Sequence, residues 1–71
     1  MKNVAFTFNS ESLKLFLNAE IGELVNEGLR RAHIDTFYFP FPKEATDEEC
    51  HEDINSLLGR YGFQEHVDYE F

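Results

Sequence analysis

Cysteine is almost absent. Cys50 is the only one among 71 residues, so no disulfide closes within the chain, and the stapled secreted scaffolds of this size are excluded. Basic residues are also scarce, with Lys+Arg 6 against Asp+Glu 14 and a formal charge of −8. So few cations leave no footprint for gripping a phosphate backbone, which excludes direct binding to nucleic acid. Anionic lipid heads repel the same surface. No stretch approaches the ~20 apolar residues that cross a bilayer. Met1-Lys2-Asn3-Val4-Ala5-Phe6-Thr7-Phe8 lacks the long apolar core of a signal peptide. The expectation is a protein of the cytoplasm that does not engage membranes.

Aromatic residues are plentiful, with eight Phe and three Tyr, although Trp is missing. That content excludes a disordered acidic tail. The length sets one domain over residues 1–71. Such a chain buries only about 60% of its unfolded surface, so its core is thin.

Residues 3–8 alternate, with Val4, Phe6 and Phe8 on one face, and predict a half-buried strand. Ser10 and Ser12 offer caps for a helix. Leu13, Phe16, Leu17, Ile21, Leu24, Val25, Gly28, Leu29 and Ala32 follow at helical spacing. They predict about five turns with one apolar stripe and Arg30 and Arg31 in the last turn. Residues 34–39 predict a second strand, whose Phe-Pro-Phe-Pro end the prolines leave extended but unpaired. Thr46-Asp47-Glu48-Glu49 is a capping box for a helix running to about Arg60, with Gly59 or Gly62 as its stop. Phe63, Val67, Tyr69 and Phe71 alternate with polar residues and predict a third strand.

The fold class expected is therefore α/β, with α+β as the variant if one strand lies antiparallel. It is a two-layer β-α-β-α-β domain in which a three-stranded sheet carries two helices on one face. The other sheet face is bare.

Two groups of residues stand out. Glu44, Asp47, Glu48, Glu49, Glu52 and Asp53 contain no base between them, and residues 36–71 hold nine acids against two bases. Acids at a helix N-terminus suit the dipole, which accounts for Asp47, Glu48 and Glu49. It does less for Glu52 and Asp53, or for the acids returning at Glu65, Asp68 and Glu70. Carboxylates along one rigid face resemble a phosphate row and attract the basic groove of a nucleic-acid-binding protein. The second group is Phe37, Tyr38, Phe39 and Phe41, either core or an aromatic edge that a partner or a second copy covers.

Chemistry finds little support. Glu48-x-x-His51 has ligand-pair spacing on one helix face, but no four-helix bundle completes a metal site. Cys50 lies among acids, which disfavour its thiolate. No serine has an evident His-Asp partner, and no glycine-rich phosphate loop follows a strand. No catalytic residue, metal or cofactor is assigned.

The reading is a small acidic protein-binding module that inhibits a basic protein by occupying its nucleic-acid-binding site. In size, charge and lack of catalytic motifs it resembles the small acidic antagonists that phages and other mobile elements encode. The alternative is a homo-oligomeric structural or adaptor protein, with a homodimer joined through the aromatic edge and the bare sheet face.

Overall fold

The computed structural model describes residues 1–71. Its elements are β1 (Lys2–Phe8), α1 (Ser10–Asn18), α2 (Gly22–Asn26), β2 (Arg30–Arg31), β3 (Thr36–Phe41), α3 (Asp47–Gly59) and β4 (Tyr69–Glu70). The sheet order is β2-β3-β1-β4, and every pairing is antiparallel. The mixed α/β, two-layer expectation holds, with four strands in place of three. The connectivity is β-α-α-β-β-α-β, and in the sheet β3 inserts between β1 and β2, and β1 between β3 and β4.

The alternation of β1 decides which face is buried. Phe6 and Phe8 point inward with Phe37 and Phe39 of β3, while Asn3, Ala5 and Thr7 stay exposed. Register places Phe6 opposite Phe37 and Val4 opposite Phe39. Phe16, Leu24, Leu29, Ile54 and Leu58 cover these rings, and Phe63 and Tyr69 close the ends. The Phe8 and Phe16 rings stack with centroids 4.4 Å apart, and Phe37 meets Phe16 edge-on at 5.1 Å.

The five-turn helix expected after β1 is two shorter ones. Ala19 turns extended (φ −79°, ψ 157°), and Gly28 (φ +116°) ends α2. Twenty helical residues would run about 30 Å, whereas a seven-residue strand runs about 23 Å. Breaking the helix keeps Leu24 and Leu29 over the sheet, at the cost of exposing Leu17 and Val25. The α2 stop is a Schellman motif: Leu29 N–H donates to the Leu24 carbonyl at 3.0 Å, and Gly28 N–H to Val25 at 3.1 Å. Arg30 and Arg31 consequently form the edge strand β2 rather than a last helical turn. Asn9, not a serine, caps α1, accepting from Ser12 N–H at 2.8 Å.

Pro40 pairs with Asn3 inside β3, contrary to an unpaired Phe-Pro-Phe-Pro end. The sheet tolerates it because β2 stops opposite Tyr38, leaving β3 an edge strand beyond that point. α3 matches its capping box: Thr46 Oγ1 accepts from Glu49 N–H at 3.1 Å, and Glu49 accepts from Thr46 N–H at 3.0 Å. Gly62 (φ +86°) is its stop, with Phe63 N–H donating to Leu58 at 3.2 Å. The third expected strand shrinks to Tyr69–Glu70, because residues 64–68 form a turn in which His66 has φ 71°.

Candidate acidic face and aromatic edge

α3 buries Cys50, Ile54 and Leu58 at four-residue spacing, which turns Glu48 and Glu52 to the opposite side. The six acids expected to act together divide in two. Asp47 pairs with Lys2 Nζ at 2.9 Å, which lowers the Asp47 carboxyl and raises the Lys2 amine, the shared hydrogen bond being the first cause of each. Glu49 is held low chiefly by the Thr46 backbone N–H and then by its hydroxyl. These two carboxylates fix the start of α3. Glu44, Glu48, Glu52 and Asp53 are exposed. The ion pairs of the chain are Lys2–Asp47, His66–Glu65 and His66–Glu70, so none of these four has a cationic partner. Unneutralised charge therefore lies on Glu48 and Glu52 along the outer side of α3, whose first turn is firmly capped, with Glu44 before the helix and Asp53 on its flank.

The acids of the C-terminal segment serve the fold. Asp68 accepts from the Ser12 hydroxyl at 2.6 Å and from Gln64 N–H at 2.7 Å, tying the 64–68 turn to α1. Asn9 adds a second tie, its amide donating to the Val67 carbonyl at 2.8 Å. Tyr69 Oη donates to Asn55 Oδ1 at 2.5 Å, and Asn55 Nδ2 donates to Glu65 at 2.9 Å. This chain of bonds links β4 to α3. Burial, the first cause, pushes the Tyr69 phenol up to about 12, with Glu65 and Asp68 adding to it. His66 lies between Glu70 (2.9 Å) and Glu65 (3.2 Å). Its pKa is raised, first by the Glu70 hydrogen bond and then by both carboxylates.

Of the expected aromatic edge, two of four residues leave the surface. Phe37 and Phe39 are each 3% exposed, because inward alternation of β3 sends both into the core. Tyr38, on the bare sheet face, and Phe41 are half-buried. The aromatics that argued for a homodimer are thus largely consumed within one chain. Phe71 lies over His51, with ring centroids 3.9 Å apart and planes at 12°.

His51 takes up that stack, and no three His, Cys, Asp or Glu side chains converge where they would hold a metal. Cys50 is fully buried, and no helix is long and apolar enough to cross a membrane.

One feature escaped the sequence. Between the end of α2, the end of β3 and the flank of α3 lies an open groove of about 410 Å³, lined by Glu27, Phe39, Pro40, Phe41, Asp53, Ser56, Leu57 and Arg60. Its residues come from three distant segments, and only the break at Gly28 brings Glu27 beside them. Comparison with protein-family models, curated proteins and solved structures finds no match to this chain.

Proposed function

We propose that this protein is an acidic binding module that inhibits a basic protein by occupying its nucleic-acid-binding site. The observation that carries the reading is the division among the α3 acids. Asp47 and Glu49 are spent on the fold, whereas Glu44, Glu48, Glu52 and Asp53 stand exposed without a cation. Like charges held together raise the energy of the free protein, and a basic partner relieves that repulsion. Glu48 and Glu52 lie one helical turn apart on a capped helix, so little ordering remains to be done when the partner docks. No chemistry is assigned to the module. A homo-oligomeric adaptor is less well supported, because Phe37 and Phe39 are inside the core.

The test is capture from host cells with the wild type and with Glu48→Gln/Glu52→Gln. A nucleic-acid competition assay then follows on any protein that the wild type retains. The reading expects a basic protein whose DNA or RNA is displaced by the wild type and poorly by the variant. Retention of a non-basic protein, or equal displacement by both forms, overturns it.

A further inference from the structure

The groove beside α3 has an apolar floor and a charged rim. Phe39, Pro40, Phe41 and Leu57 supply its apolar lining, and Phe41 and Leu57 are half-buried, so part of each remains open to a ligand. Glu27 and Asp53 bring carboxylates from two different elements, and Arg60 brings the single cation. Arg60 forms no ion pair with either acid within 4.0 Å. The balance on this flank is negative. At neighbouring Tyr61, after burial, Glu23 and Glu27 push the phenol up against the opposing effect of Arg60. A ligand suited to this groove has a long apolar stem and a cationic head.

We propose that the groove takes an arginine side chain of the partner, with its stem on Pro40 and Leu57, its guanidinium over Phe41, and its charge against Glu27 and Asp53. This deepens the inhibitor reading and rests on it: the outer acids of α3 attract a basic surface, and the groove anchors one residue of it. Arginine fits better than lysine because its planar, weakly hydrated head stacks on an aromatic ring while keeping its charge. Arg60 lines the same groove and repels an incoming guanidinium. Its removal therefore strengthens binding, the opposite of what an anionic ligand of this groove would show.

The probes are two blocked peptides, one with a single arginine among glycines and one with four arginines, titrated into the isotope-labelled full chain. Binding is followed through backbone amide shifts. The single-arginine peptide is expected to saturate in the millimolar range, moving Phe39, Phe41, Leu57 and Arg60, and its citrulline counterpart to move none of them. Arg60→Gln raises its affinity and Asp53→Asn lowers it, each by roughly two- to fivefold. The amide spectra of both variants, free of ligand, report that the fold is intact. Four arginines also move Glu48 and Glu52 in a salt-sensitive way. If the single-arginine peptide leaves the groove amides unmoved, or Arg60→Gln weakens it, while four arginines still shift Glu48 and Glu52, only the groove proposal falls. If neither peptide moves these sites, the inhibitor reading falls with it.

Discussion

Gly28→Ala perturbs the point where the predicted helix gives way to a sheet edge. Gly28 sits at φ +116°, and a Cβ there would lie 3.0 Å from Pro40 Cδ and 3.1 Å from Cγ. Two costs follow. An L-residue at that φ carries about 1–3 kcal/mol of backbone strain. The close contact adds about 1–3 kcal/mol, because a proline ring has no rotamer by which to retreat and is anchored in β3 opposite Asn3. Alanine also stiffens the unfolded chain, which offsets about 0.4–1 kcal/mol. The net loss is about 1–6 kcal/mol, roughly 3 kcal/mol at mid-range, a large share of the ~5 kcal/mol at the low end for small domains. At about 4–8 °C per kcal/mol for a chain of this length, a mid-range loss lowers the midpoint by about 12–24 °C. Gly62→Ala isolates the backbone cost, since Gly62 has φ +86° and no atom within 4 Å of the point a Cβ would occupy; its loss is about 1–2 kcal/mol. Thermal and urea unfolding followed by circular dichroism measure both variants. If Gly28→Ala costs no more than Gly62→Ala, the packing of α2's end against Pro40 is wrong.

Thr46→Ala removes the cap of α3 and is expected to lower stability by about 1 kcal/mol in urea unfolding. Tyr69→Phe leaves Asn55 Oδ1 without its donor and is expected to cost about 1–2 kcal/mol in the same assay. His66 is expected to titrate by NMR above the ordinary value of about 6.5. Because its folded pKa is raised, its contribution to stability is fully present below the unfolded value and is lost as pH rises through the folded one. The urea midpoint of the wild type should therefore fall between about pH 6 and pH 8 relative to His66→Asn, which tolerates the left-handed backbone.

The sequence announced those elements whose signals are local. β1 follows from strict alternation, and α3 from a capping box and four-residue apolar spacing, so the exposed acids of α3 were legible as well. The long helix was not, because Leu24 and Leu29 keep helical spacing while the chain breaks at Ala19 and Gly28 to stay over a short sheet. β2 was hidden for the same reason: two arginines at the end of an apolar stripe read as dipole partners, and only pairing with Tyr38 and Phe37 makes them a strand. Alternation in β3 places Phe37 and Phe39 on one face, yet composition alone did not reveal that one chain had room to bury both. Asp68 and Glu65 read as surface charge because their side-chain donors, Ser12 and Asn55, sit on other elements, α1 and α3. The groove depends on three segments meeting, which no local pattern encodes.

The central claim is that the unpaired acids of α3 bind a basic, nucleic-acid-binding protein. The decisive measurement is the dissociation constant for the captured partner at low and physiological salt. It compares the wild type, Glu48→Gln/Glu52→Gln and the charge-matched control Glu11→Gln/Glu20→Gln. All four glutamates are exposed, so the fold is expected to change by no more than about 0.5 kcal/mol per site. The α3 variant should bind at least about tenfold more weakly, with a shallower salt dependence, while the control stays within about threefold of the wild type. Equal weakening in the two variants would reduce α3 to a solvated face and contradict the account.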